Sequence, residues 1–342
     1  MTSTHAAHLP ASAVPANADA PAAGTASAAQ SPPAAAAPIP DSACGAASPV
    51  SPPGAPDTAP DLLERADRVI AAALASGALQ PIRTELDWLE QDGLRFSVRW
   101  VSSLALKDRA RVDTVTARRP DFNPFLPPEP ALTVAPLGKD HLVVLNKFPV
   151  IDRHLLVVTR QFEDQRAPLD EADFAALATI VGAHGGLGFY NGGRVAGASQ
   201  AHKHLQWVPA QASALEDFLP VLRPGETLDN PALPWAHAIV GLDEAVWSRP
   251  QEAGAALQAA FRLACARLKL PCAADPMPPY NLLVSRCALL LVPRTHEKWE
   301  DVSLNSLAWA GSLFVRDRAQ IDGLRRHGPL AVLAAVCRPR GA

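Results

Sequence analysis

Gly197-Ala198-Ser199-Gln200-Ala201-His202-Lys203-His204-Leu205-Gln206-Trp207-Val208 is the stretch from which the rest of the chain can be read. Taken as a strand over 201–208, its two-residue period puts His202, His204 and Gln206 on one face about 6.6 Å apart in succession, with Lys203, Leu205 and Trp207 on the other. Just upstream, Tyr190-Asn191-Gly192-Gly193 and Gly197 supply a glycine-rich loop whose backbone N–H groups can approach phosphate oxygens closely, because no Cβ intervenes.

Outward from that stretch, runs of strand length recur at 96–101, 141–146, 154–159, 188–191, 238–241, 280–285 and 288–293. Leu62, Leu63, Ala66, Val69, Ile70, Ala73 and Leu74 recur at helical spacing, with Asp61 as N-cap and Gly77 as stop. Helical spacing returns at 170–184, 252–269, 320–326 and 330–336. The strands come in neighbouring pairs, 141–146 with 154–159 across Pro149/Asp152 and 280–285 with 288–293 across Arg286/Cys287. Paired strands followed by a long helix predict an α+β fold, a mainly antiparallel sheet with flanking helices, and argue against a doubly wound one.

The first 60 residues are different in kind. They hold 12 of the 34 prolines and 21 alanines, with no Lys or Arg. Too few branched or aromatic side chains are present to offset the entropy of ordering, so 1–60 reads as a disordered Ala/Pro-rich tail. Residues 61–342 then form the folded part, about 61–210 carrying the histidine motif and 211–342 following it. Removing Asp19, Asp41 and Asp57 from the chain's 34 acids leaves 31 against 31 bases, a neutral core. That balance argues against coating nucleic acid or an anionic membrane by bulk charge, while a local phosphate pocket stays allowed. Apolar runs such as Leu330 to Cys337 fall far short of a membrane span. Five cysteines without a C-x-x-C pair, and no basic or apolar leader, point to a reducing compartment, the cytoplasm.

Two imidazoles and an amide on one strand face permit three kinds of chemistry. The row can be a hydrogen-bonded structural one; His-x-His can bind a metal, which needs a third ligand that Gln206 supplies poorly; or a neutral imidazole can attack phosphorus without a separate base. In the third case one ring nitrogen must be held as donor, most simply by a backbone carbonyl near His202. Gln206, Ser199 and Gln200 can then donate to the oxygen on which charge accumulates.

The motifs extend well beyond this stretch: Ser103-Leu104 with Lys107, Asn123-Pro124-Phe125, Leu145-Asn146-Lys147-Phe148-Pro149-Val150, His154-Leu155-Leu156-Val157-Val158-Thr159, Phe189-Tyr190-Asn191, Tyr280-Asn281-Leu282-Leu283, Leu291-Val292-Pro293-Arg294 and Leu304-Asn305-Ser306. In this order the chain resembles the diadenosine tetraphosphate phosphorylases (ATP adenylyltransferases) of the histidine-triad and galactose-1-phosphate uridylyltransferase superfamily, with glutamine in place of the triad's third histidine. The resemblance implies a histidine-triad-like fold and the conversion of diadenosine tetraphosphate and phosphate to ATP and ADP. It implies His204 as nucleophile, with Gln206 and His202 beside it. Lys107, Leu145, Asn146, Asn191, Gly197, Ala198, Ser199, Gln200, Gln206, Asn281 and Arg294 are implied to line the nucleotide site.

No zinc, protein-bound metal or covalent cofactor is implied; Mg2+ can assist the polyphosphate. The expected partners are small nucleotides, and the expected state is a monomer. A hydrolase of the same substrates, a non-catalytic dinucleotide sensor and a sugar-phosphate uridylyltransferase are the rival readings. Among the other residues, Phe148 is the candidate for stacking on adenine. Lys203 is expected to point away from the histidine face, and His154 and His184 to be a strand-edge and a helix-end histidine.

Overall fold

The computed structural model describes residues 61–101 and 122–341. The expected tail over 1–60, and Ser103, Leu104 and Lys107, lie outside the described residues. In chain order the elements are α1 (Leu62–Ser76), β1 (Thr84–Gln91), β2 (Leu94–Val101), β3 (Thr133–Leu137), β4 (His141–Leu145), β5 (Leu155–Thr159), α2 (Glu171–His184), β6 (Leu187–Asn191) and β7 (His204–Val208). They continue with β8 (Thr227–Leu228), β9 (Ala238–Gly241), α3 (Pro250–Leu268), β10 (Tyr280–Val284), β11 (Ala288–Pro293), β12 (Lys298–Trp299), β13 (Val302–Ser303), β14 (Ser312–Val315), α4 (Arg318–His327) and α5 (Pro329–Ala335). The fold is α+β, as the paired strands predict.

Nine strands form one sheet in the order β3-β4-β5-β7-β6-β10-β11-β9-β8. All its pairings are antiparallel, including β4 with β5 and β10 with β11. Helix starts follow the local chemistry. The Asp61 carboxylate accepts from the Leu62 N–H, and α2 opens with a capping box in which the Asp170 and Asp173 side chains each accept from the other's backbone N–H.

One face of the sheet is covered by helices. Val143, Val157, Leu205, Trp207 and Leu282 pack there with Phe174 and Leu177 of α2 and Leu257 and Phe261 of α3. Each such side chain contributes about 1.5–3 kcal/mol by leaving water. The opposite face has two covers. Phe189, Leu283, Leu290 and Val292 lie against Phe96 and Val98 of a second sheet, β1-β2-β14, and against Leu307 and Trp309. Val144 and Val158 form a separate small cluster with Phe125. In register, His204 opposes Val158, and Gln206 lies between Leu156 and Phe189. The catalytic candidates therefore stand where one cover ends and the other begins.

Two expectations need correction. The strand expected over 201–208 starts at His204; residues 198–203 leave the sheet, and His202 joins only an isolated bridge to Asp164. Strands β1, β3, β8, β12, β13 and β14 have no counterpart among the expected runs. In Thr84-Glu85-Leu86-Asp87-Trp88-Leu89-Glu90-Gln91 only Leu89 is buried, and β14 is held by parallel pairing with the distant β2, neither of which leaves a local pattern.

Candidate active site

His204 opens β7 with its ring desolvated, which pushes its pKa down to about 4. Its Nδ1 lies 2.8 Å from the His202 carbonyl oxygen, an acceptor, so Nδ1 carries the proton and donates. The lone pair is then on Nε2. This is the carbonyl clamp near His202 that nucleophilic chemistry requires. The β6–β7 ladder ends at Phe189 and Gln206, so on that side the His204 backbone lacks a strand partner, and Gln165 replaces it. Its Oε1 accepts from the His204 N–H (2.8 Å), and its amide nitrogen donates to the Asn191 and His204 carbonyls at 2.9 and 3.2 Å.

His202 faces the same side without being on the strand. Phe125 N–H donates to Asn123 Oδ1 (3.0 Å), Asn123 Nδ2 donates to His202 Nδ1 (3.0 Å), and His202 Nε2–H donates to the Thr159 carbonyl (2.8 Å). Both ring nitrogens are thus engaged by protein, and burial lowers its pKa. Among the described residues no cluster of three or more His, Cys, Asp or Glu could hold a metal ion. The Phe125 ring leans over both imidazoles, its centroid 5.6 Å from His202 and 5.4 Å from His204.

Gln206 is anchored by its oxygen. His154 Nε2–H donates to Gln206 Oε1 (2.8 Å), and the amide NH2 of Gln206 has no protein acceptor among the described residues. Asn191 repeats this polarity: its Oδ1 accepts from Asn281 Nδ2 (2.9 Å) and from the N–H (2.9 Å) and hydroxyl (2.7 Å) of Ser306. Its NH2 likewise has no acceptor among the described residues. Two amides with fixed oxygens and N–H groups unpartnered among the described residues, beside an imidazole lone pair likewise unpartnered there, suit an electron-rich phosphate.

Beneath the loop, Lys203 points to the helix face, as expected. Its ammonium donates to Asp173 (3.0 Å), Glu163 (2.7 Å) and the Pro168 carbonyl (3.1 Å), and Asp173 also binds His141 (2.9 Å). After the cost of its own burial, the His141 and Lys203 partners hold the Asp173 carboxyl below its usual range. This ion cluster pins the peptide between the two histidines from below.

Residues 55–223 match the Ap4A phosphorylase N-terminal domain and residues 231–339 the ATP adenylyltransferase C-terminal domain, Ap4A being diadenosine tetraphosphate. The chain belongs to the Ap4A phosphorylase family. Diadenosine 5',5'''-P1,P4-tetraphosphate phosphorylase 2 of Saccharomyces cerevisiae is 28% identical to it over 289 residues, covering 74% of this chain and 86% of the relative. Protein APA1 of the same organism is 31% identical over 144 residues, 36% of this chain and 44% of the relative. The solved structure of yeast Ap4A phosphorylase Apa2 in complex with AMP matches with a TM-score of 0.66 at 25% identity, covering 82% of this chain and 98% of that one. The same enzyme in complex with Ap4A matches with a TM-score of 0.63 at 25% identity, covering 82% and 99%.

The residues singled out by likeness to the Ap4A phosphorylase family fall into two sets. Asn191, Ser199, Gln200, His204 and Gln206 keep groups with no protein partner among the described residues, including the N–H groups and side chains of Ser199 and Gln200. Gly197 and Ala198 do not offer theirs: the Gly197 N–H donates to Arg194 and the Ala198 N–H to Gly193. Gly197 serves shape instead. Its φ is +92°, and a Cβ there would lie 2.7 Å from the Leu304 carbonyl oxygen.

Asn281 and Arg294 are internal. Asn281 is fully buried and bonded at both ends of its amide; Arg294 directs its guanidinium to Asn281 Oδ1 and to the carbonyls of Val336, Leu304, His296 and Glu297, beneath the Trp309 ring. Leu145 packs in the helix-side core, and the Asn146 amide is taken by Phe148 and His154. Sequence reasoning missed Gln165, Asn123, Thr159 and Ser306, and it gave His154 no role. Asn123, Ser306, Thr159 and His154 had a signal, as members of the motifs quoted above; Gln165 had none.

Proposed function

We propose that this chain degrades diadenosine tetraphosphate by phosphorolysis, with the His204 imidazole taking the AMP group. One observation carries the reading: a neutral ring whose Nδ1–H is tied to a backbone carbonyl and whose Nε2 has no protein partner among the described residues. Nε2 attacks the α-phosphorus, the P–N bond forms, and the P–O bond to the remaining chain breaks, releasing ATP. Inorganic phosphate then attacks the same phosphorus, the P–N bond breaks, and ADP leaves with its β-phosphate drawn from the acceptor. The imidazole returns to its neutral form.

Charge on the non-bridging oxygens in each step is met by the NH2 of Gln206 and by Ser199 and Gln200, which have no competing acceptor among the described residues. Lys147, Arg166, Lys203 and Arg294 are already engaged, by Glu129, by Asp164, by Asp173 with Glu163, and by carbonyls respectively. The reading includes a divalent cation such as Mg2+ on the polyphosphate and no covalent cofactor. The cytoplasm remains the proposed compartment, which suits Cys265, Cys272, Cys287 and Cys337 being free thiols.

Radiolabelled phosphate supplied with unlabelled diadenosine tetraphosphate tests the proposal: label is expected in ADP, none in ATP. His204→Ala is expected to abolish the transfer and the AMP-sized mass added to the wild-type protein on brief exposure to substrate. Products of ATP and AMP, independent of phosphate, would assign water as acceptor and refute phosphorolysis.

A further inference from the structure

Gln206 can serve the α-phosphate only if its amide presents nitrogen and not oxygen to it. The two ends have nearly the same shape, so something must choose. We infer that His154 is a positioning residue whose imidazole sets the orientation of the Gln206 amide, through a chain of donors that begins at a backbone N–H. This inference rests on the reading of Gln206 as a phosphate donor.

The argument runs from an atom that cannot change its role. Phe148 N–H is a donor, so the Asn146 atom 3.2 Å from it must be the carbonyl oxygen Oδ1. The other end of that amide is then NH2, and it donates to His154 Nδ1 at 3.1 Å. Nδ1 accepts, so the ring's one proton sits on Nε2. Nε2–H donates at 2.8 Å, so its partner on Gln206 must be Oε1. The NH2 of Gln206 is thereby turned to the opposite side. Burial keeps the ring neutral, which the chain requires, because an imidazolium could not accept from Asn146.

The molecule uses the device twice. Asn123-Pro124-Phe125 and Asn146-Lys147-Phe148 are both turns in which asparagine Oδ1 accepts from the N–H two residues on, and both hand the freed NH2 to a histidine Nδ1. The first fixes His202, whose carbonyl fixes the proton on His204. The second fixes His154 and through it Gln206. Nucleophile and phosphate donor would each be set by an Asn-x-Phe turn.

The test is a double-mutant cycle on the full chain, read as the rate of ATP release in the first half-reaction. His154→Phe is expected to slow that rate about tenfold to hundredfold with KM for diadenosine tetraphosphate unchanged. His154→Gln, which keeps a donor near the Nε2 position, should recover most of the loss. In a Gln206→Ala background His154→Phe should change nothing further. An equal loss in both backgrounds, or no rescue by glutamine, overturns the inference.

A second measurement needs neither a variant nor turnover: nitrogen NMR of the wild-type imidazoles at neutral pH should find the His154 proton on Nε2. A proton on Nδ1 refutes the relay even if the enzyme makes ATP and ADP. Conversely, a wild type that makes neither product refutes the reading of the substrate and leaves the assigned tautomer standing.

Discussion

Two buried polar clusters flank Asn191, and they are built to opposite rules. Around Asn281 and Arg294, both ends of the amide and all three guanidinium nitrogens meet an acceptor or donor of the protein. Around His204 and Gln206, only one end of each group is tied among the described residues. The difference separates scaffold from site: a saturated buried network holds backbone in place, whereas a half-saturated one leaves directed groups for a ligand to complete.

The comparison breaks most severely if the scaffold is cut. Arg294→Met removes the donors that gather the carbonyls of Val336, Leu304, His296 and Glu297, and should cost about 3–5 kcal/mol of stability in denaturant unfolding. An unchanged midpoint would show that those carbonyls have other partners. Gln206→Ala lies on the other side of the contrast. It should lower the rate of ATP release about 100- to 1,000-fold, or about 2.7–4 kcal/mol of transition-state stabilisation, while leaving the melting temperature near that of the wild type.

The pH dependence sharpens the contrast further. The folded His204 has its pKa near 4 against an unfolded value of 6.5, so the unfolded chain binds more protons between those limits. The stability difference is fully present above pH 6.5 and is lost as pH falls towards 4, by up to about 3 kcal/mol for this ring; His154 acts with the same sign. Adduct formation without phosphate should stay flat down to about pH 5 and fall near pH 4. A half-maximal point at 6.5 would contradict a desolvated nucleophile. Ser199→Ala should give the smallest effect, about tenfold or less in kcat/KM, because it removes one neutral donor from a partly open loop.

Much of this was legible in the chain itself. The runs expected at 141–146, 154–159, 238–241, 280–285 and 288–293 are strands to within a residue, since strands buried on both faces are apolar throughout. The need for a carbonyl clamp near His202 follows from imidazole chemistry alone, and the clamp is there. The assignment of Arg294 to the substrate shows where such reasoning fails. An arginine beside the quoted motifs reads as a phosphate ligand, and only its neighbours reveal that the Asn281 side chain and the carbonyls of Leu304, Val336, His296 and Glu297 already occupy it. His154 failed in the opposite direction: a histidine before a strand looks incidental until Gln206, 52 residues on, arrives at 2.8 Å.

Sequence by itself determined the paired antiparallel strands, the capped helices and the chemical kinds gathered at 197–206, because these depend on residue type and on neighbours close along the chain. Tertiary structure decided which polar atoms stay free. That depends on partners brought from Asn123, His154, Gln165 and Ser306, and whether a donor is satisfied is a property of geometry that no local pattern encodes.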